Sequence, residues 1–189
     1  MSTSFELDPV SRITAGAVGE PGNRTFYIQA RKDELLVTLL AEKQQVQVLA
    51  TTLAQLLETL DPIDDEGVPP ASDDLELEDP LLPEWRIGPM AIEVEEDTGM
   101  MVFVAEEVPA GDDADDEDEA GIAASIEEET VADLAHARFV ATRAQMKALA
   151  EHAEIVCSAG RPRCQLCGFP MDPDGHVCPA TNGHRSPEL

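Results

Sequence analysis

The order of hydrophobic and polar positions divides the first sixty residues into three strands followed by one helix. Residues 4–18 and 24–31 are rich in β-favouring residues and predict two strands. A short apolar run over 35–40, with charged residues on both sides, predicts a third, buried strand. After Glu42, apolar residues recur every three or four positions, and this spacing predicts a helix that ends before Pro62.

A strand over 90–94 is predicted by apolar residues that alternate with polar or small ones. Pro89 has no amide hydrogen to donate to a neighbouring strand. We therefore expect this strand at the edge of a sheet or at a β-bulge. A turn at 96–99 then leads to a further strand over 100–104, so that the two strands form a hairpin.

One more strand and helix complete the main body. Residues 130–141 predict the strand, and Thr142 followed by Gln145 has the capping-box pattern that opens a helix. Gly160 ends that helix. Two strand-then-helix blocks thus flank a central hairpin, although no sequence repeat is strong enough to indicate a duplication. We predict an α+β domain over 1–160, with a mostly antiparallel sheet and two main helices.

Acidic residues are concentrated in the middle of the chain. The 189 residues carry a formal charge of −27, and residues 61–129 hold 26 Asp and Glu against one basic residue, Arg86. Two exposed acidic loops are predicted, at about 61–83 and 109–129, with disorder over 110–119. The sequence has no cluster of Lys and Arg that could replace counterions on a phosphate backbone, so nucleic acid is not an expected partner. An anionic membrane surface is disfavoured for the same reason.

The cellular compartment affects how the four cysteines are interpreted. Residues 1–10 have neither a basic start nor an apolar run, so we expect no secretory signal. The sequence has no apolar stretch long enough to span a bilayer. A cytoplasmic location follows as an expectation, and in that reducing compartment metal binding is favoured over disulfides.

The C-terminal tail has the spacing of a zinc site. Cys164 and Cys167 form a Cys-x-x-Cys-Gly turn, whose two thiolates can bind one ion. A turn farther along the chain then delivers Cys178 as a third ligand, and either His176 or His184 can supply the fourth. A redox pair or unligated thiols are the alternative. Four protein ligands would leave no position for water, so the predicted zinc is structural.

Further motifs indicate a resemblance to known proteins. They are Phe26-Tyr27, Trp85-Arg86-Ile87-Gly88 and an ending that runs from Gly160 through Gly-His-x-Cys-Pro at 175–179. With them the chain resembles an actinobacterial family of conserved proteins of unknown function. The resemblance implies an N-terminal α/β unit, a zinc-ribbon tail over 161–189 and an actinobacterial source. It favours His176 over His184 as fourth ligand, it brings no activity, and the acidic run at 110–119 departs from its pattern.

The sequence has no recognisable catalytic motif, so three hypotheses about function remain open. The leading one is a non-enzymatic module that binds another protein. The second is an enzyme or a small-anion-binding domain whose site is assembled from arginines of the main body, namely Arg12, Arg24, Arg31 and Arg138. The third, a nucleic-acid-binding zinc ribbon, is disfavoured by the acidic charge.

Two expectations concern packing. Cys157 falls on the inner face of the second helix and is expected to be a buried packing residue rather than a metal ligand. The tail is too short to bury its own apolar residues, so Leu166, Phe169 and Met171 are expected to pack on the main domain.

Overall fold

The computed structural model describes residues 2–61, 63, 67–108, 134–160, 164–169, 171 and 177–181. Within these ranges the chain forms seven β-strands and two α-helices. The strands are β1 (Phe5–Leu7), β2 (Arg12–Val18), β3 (Thr25–Lys32), β4 (Leu35–Ala41), β5 (Ile87–Val94), β6 (Met101–Glu107) and β7 (His136–Ala141). The helices are α1 (Lys43–Thr59) and α2 (Arg143–Ser158), and both lie where the sequence predicted them. The predicted disordered run at 110–119 lies outside the described residues, as does most of the 109–129 loop.

The strands form two sheets, whereas the sequence predicted one. Strands β2, β3 and β4 make an antiparallel sheet, and the second sheet has the order β1-β7-β6-β5. In the second sheet only β1 runs parallel to its neighbour, β7. The α+β class with two helices is confirmed, with two mostly antiparallel sheets in place of one.

The single strand predicted over 4–18 is wrong, because β1 and β2 belong to different sheets. Pro9 cannot donate a ladder hydrogen bond and restricts the residue before it. The amide of Val10 donates to the Val140 carbonyl in β7 at 2.8 Å, and the next amide, that of Ser11, donates to the Arg31 carbonyl in β3 at 2.8 Å. The chain therefore changes sheets between two adjacent residues.

Strand β5 confirms the expectation attached to Pro89. It lies at the edge of its sheet, where a missing amide hydrogen costs no ladder bond. The register with β6 also shifts between Ile87 and Met90, which marks an irregularity around the proline. Both predicted features are present in one strand.

A single hydrophobic core unites both sheets and both helices. The helices contribute the apolar residues of their inner faces, which are Val46, Leu49 and Leu53 from α1 and Met146, Leu149 and Ala153 from α2. In the second sheet, the rings of Phe103 and Phe139 stack with their centroids 5.9 Å apart. Cys157 is buried in the same core, as predicted.

The two halves of the main body repeat one order of elements, which the sequence did not indicate. Each half is a three-stranded meander followed by a helix, β2-β3-β4-α1 and β5-β6-β7-α2. Before the second meander, Arg86 forms a parallel bridge with Leu40 of β4. Before the first meander, β1 pairs in parallel with β7. Each half thus contributes the segment before its own meander to the sheet of the other half.

The first turn of each helix repeats one contact in both halves. Gln45 donates to the carbonyls of Ile87 and Gly88 at 2.9 and 3.0 Å. Gln145 donates to the carbonyls of Val10 and Ser11 at 3.3 and 3.2 Å. In each half these carbonyls lie where the segment that pairs with the other half's sheet leads into the meander, so the two glutamines occupy equivalent places in the two halves.

Part of the acidic segment predicted as an exposed linker over 61–83 is bound to the outer face of the first sheet. Buried Gln29 donates from Nε2 to the Glu78 carbonyl at 2.9 Å and accepts from the Glu78 amide at 2.8 Å. Thr14, its neighbour in β2, donates to the Leu75 carbonyl at 2.5 Å. Polar side chains of the sheet therefore bind the backbone of the predicted linker at Leu75 and Glu78.

Candidate metal centre

Three cysteines of the tail converge on one point. The Sγ atoms of Cys164, Cys167 and Cys178 all lie within 4.8 Å of one another, and those of Cys164 and Cys178 are 3.8 Å apart. Two thiolates at tetrahedral corners, each about 2.3 Å from a zinc ion, would be about 3.8 Å apart. The spacing of these sulfurs therefore fits a tetrahedral metal centre.

A tight turn brings the first two cysteines together. The Gly168 amide donates to the Cys164 carbonyl at 2.8 Å, and the Cys164 amide donates to the Phe169 carbonyl at 2.8 Å. Gly168 has a φ of 73°, in the left-handed region that a glycine adopts without a Cβ clash. The Cys-x-x-Cys-Gly pattern predicted this turn.

The three cysteines form a small core of their own. Cys164 and Cys178 are buried, Cys167 is half-buried, and Met171 packs against them. This cluster is separate from the hydrophobic core of the main body. A bound metal would thus cross-link a unit that has few apolar contacts to stabilise it.

The surroundings of the Cys167 sulfur favour its thiol form when no cation is bound. Loss of solvent around its sulfur raises the pKa of Cys167. The backbone amide of Phe169 opposes this shift, whereas the side chains of Cys178 and Cys164 add to it. A divalent cation reverses this balance, because it stabilises the thiolates that coordinate it.

The predicted fourth ligand remains a prediction. His176 and its competitor His184 both lie outside the described residues. The structure thus brings three of the four predicted ligands together. It leaves the choice between the two histidines to experiment.

The tail does not pack on the main domain in the way that was expected. Leu166 and Phe169 are exposed, with 63% and 58% of their surface accessible. Met171 is buried, but among the cysteines of the tail. Val177, which the sequence analysis did not single out, is 66% exposed. Exposed apolar side chains therefore lie both around Cys167 and before Cys178 in the cysteine cluster.

The four arginines of the small-anion hypothesis do not form one site. Arg12 and Arg31 both bind the carboxylate of Glu78, the latter at 2.5 Å. Arg24 and Arg31 lie near opposite ends of β3, roughly 23 Å apart at about 3.3 Å per residue.

The fourth arginine, Arg138, is neutralised by three carboxylates. Its guanidinium lies 2.7 Å from Glu95, 3.6 Å from Glu6 and 3.6 Å from Asp8. Of the four arginines, only Arg24 has no carboxylate partner among the described residues.

A groove between the two helices is the feature that sequence reasoning missed. It has a volume of about 1380 Å³, and Arg24, Lys43, Arg143 and Lys147 line it together with residues of both helices. Lys43 and Arg143 are the first residues of α1 and α2. The one signal in the sequence was that each of these basic residues directly follows the residue before a helix, Glu42 or Thr142. The groove itself could not be predicted, because it depends on how the two helices pack.

Comparisons with known proteins give one match. A family model described as a protein of unknown function, DUF3090, matches residues 5–178. No curated protein and no solved structure matches the chain. In the part of the chain that the structure describes, no helix has the length and apolar character needed to cross a membrane.

Proposed function

Since the chain belongs to the DUF3090 family, whose function is unknown, we propose a role from its own residues. The protein is a non-enzymatic protein-interaction module whose tail is held together by a structural zinc ion. Cys164, Cys167, Cys178 and His176 bind the zinc. The partner is another protein and not a nucleic acid or a membrane.

The observation that carries this proposal is the exposed apolar surface of the tail. Leu166 precedes Cys167, Phe169 follows it by two residues, and Val177 precedes Cys178, so the ligands themselves position these side chains. Exposed apolar residues that are grouped on a small rigid unit are typical of protein-binding sites. The zinc would make this unit rigid before it meets its partner, which reduces the entropy lost on binding.

A site-specific cross-linking experiment tests the role of the tail. A photo-reactive phenylalanine analogue replaces Phe169 in the full chain, and the cross-linked products are collected from the native host. A matched control carries the analogue at Val48, which is 52% exposed on α1. We expect a discrete partner from position 169 that is absent at position 48.

Two further measurements separate a specific partner from nonspecific contacts. Leu166→Ala and Val177→Ala should reduce the yield from position 169, because they remove apolar contacts of about 1 kcal/mol or more each. Chelation should reduce it as well, since the tail loses its cross-link. Identical products from positions 169 and 48 would contradict the proposal. So would a cross-linking yield from position 169 that is unchanged by both substitutions and by chelation.

A further inference from the structure

The groove between α1 and α2 has a basic residue at each of its ends. The Cys157 thiol, near the end of α2, lies 3.9 Å from the carbonyl of Lys43, the first residue of α1. At the other end, Arg143, which begins α2, donates to the Asp61 carbonyl just after α1 at 2.5 Å. The start of each helix thus lies beside the end of the other, and a basic residue occupies both places.

Two cations meet at the Cys157 end of the groove. A Cβ placed on Gly160 would lie 3.3 Å from Arg24 Nη2 and 3.6 Å from Lys43 Nζ. These nitrogens are therefore within about 7 Å of each other, a distance at which like charges repel. Burial raises the pKa of the nearby Cys157 thiol, and the positive charges of Lys43 and Arg24 oppose that shift.

Arg24 and Lys43 differ from four arginines of the main body that have carboxylates within 4.0 Å, namely Arg12, Arg31, Arg86 and Arg138. Arg143 also has none among the described residues, but it donates to the carbonyls of Gly99 and Asp61. Among the described residues, Arg24 and Lys43 have none at that distance, although Glu58 and Glu154 line the same groove. In a chain with 39 acidic and 12 basic residues, two adjacent cations without a carboxylate are unusual.

The contact of Arg24 with the end of α2 accounts for the position of Arg24 but not for that of Lys43. Arg24 Nη1 donates to the Val156 carbonyl at 3.0 Å, and its guanidinium lies 5.2 Å from the centre of the Phe26 ring. These contacts fix Arg24 at the negative end of a helix. In the described part of the chain, the Lys43 ammonium makes no hydrogen bond or ion pair, and Gly160, which lies beside both cations, has no side chain to come between them.

We propose that Arg24 and Lys43 form a binding site for the oxyanion group of a small molecule, a phosphate or a carboxylate, which enters from the helix groove. Arg24 is held in place by Val156 and Phe26 and presents Nη2 to the anion. Lys43 supplies the second charge from the opposite helix. The site as proposed uses no residue of the tail and no zinc ligand.

Calorimetric titration of the full chain, at constant ionic strength, tests the site. The probes are inorganic phosphate and acetate, in separate experiments. We expect saturable binding of at least one probe at one equivalent per chain, and the tighter probe identifies the ligand as a phosphoester or a carboxylic acid. Lys43→Gln should weaken that binding about tenfold or more, because it removes a charged hydrogen-bond donor.

A control and a second variant make the result specific. Lys147→Gln is the matched control, because it removes one positive charge from the groove at a position about 15 Å along α2 from Cys157. It should change the affinity by less than about twofold. Gly160→Ala keeps both cations and narrows the space between them, so it should also weaken binding. Failure of both probes to bind, or equal losses from Lys43→Gln and Lys147→Gln, would overturn the proposal.

Discussion

Glu78 shows how one acidic side chain can hold a segment on a sheet. Its carboxylate binds both Arg12 and Arg31, and the hydrogen bond from Arg31 lowers the pKa of Glu78 below its ordinary value of 4.5. Burial opposes that shift, and Arg12 adds to it. We expect Glu78→Gln to lower the free energy of unfolding by only about 1 kcal/mol, because 34% of the side chain remains exposed.

The effect of Glu78 on stability depends on pH. Because the pKa is lower in the folded state, the contribution is complete above the ordinary pKa of 4.5 and is lost as the pH falls below it. In urea unfolding, the free energies of unfolding of the parent and of Glu78→Gln should therefore differ at neutral pH and differ much less at about pH 3. Glu76→Gln, an exposed neighbour in the same segment, is the control and should match the parent. Equal effects from both variants would mean that the segment responds only to its total charge.

The fourth metal ligand is also a question at the scale of one residue. Elemental analysis of protein purified without chelator should give about one zinc per chain. We expect His176→Ala to lower the retained zinc and His184→Ala to leave it unchanged. The opposite pattern would assign the ligand to His184. Clearly less than one equivalent in the parent would argue against the site itself.

At the scale of elements, the two equivalent glutamines connect the two halves of the main body. Gln45 and Gln145 each accept from the backbone amide that precedes their helix, at 2.8 and 2.9 Å. Each also donates to two carbonyls at or just before the start of the other half's meander. Replacing either one by Ala should cost about 1–3 kcal/mol, because one carbonyl of a buried residue, Ile87 or Val10, loses its donor. Gln44→Ala is the control, since Gln44 is exposed in the same turn, and it should stay within about 0.5 kcal/mol of the parent. Denaturant unfolding that gives the same loss for Gln44→Ala and Gln45→Ala would show that the connection adds no stability.

At the scale of the whole molecule, the tail and the main body have separate cores. Because Leu166 and Phe169 are exposed, the main body should not depend on the tail for burial. We expect chelation to unfold the tail without changing the melting temperature of the main body. That temperature should equal the one measured for a chain truncated after Gly160. Calorimetry of the zinc-loaded, chelated and truncated proteins measures this. A drop of several degrees on chelation would show that the tail packs on the body after all.

The sequence by itself determined the features that depend on neighbouring residues. The three-to-four-residue spacing after Glu42 placed α1, and the capping box at Thr142 placed α2. Pro89 indicated an edge strand or a bulge because a missing amide hydrogen is a local property. Cys164, Cys167 and Cys178 were recognisable because the spacing of thiolates along a turn sets how far apart they lie in space.

Only the tertiary structure decided how distant segments meet. The amides of Val10 and Ser11 are consecutive, yet their acceptors belong to two sheets that local propensity cannot distinguish. The backbone of Glu78 is bound by Gln29, 49 residues earlier, and a pattern of acidic residues alone predicts a solvated loop. Lys43 and Arg24 become neighbours only when α1 and α2 pack side by side. Hydrogen bonds and charges act through space, and a linear pattern records only the neighbours along the chain.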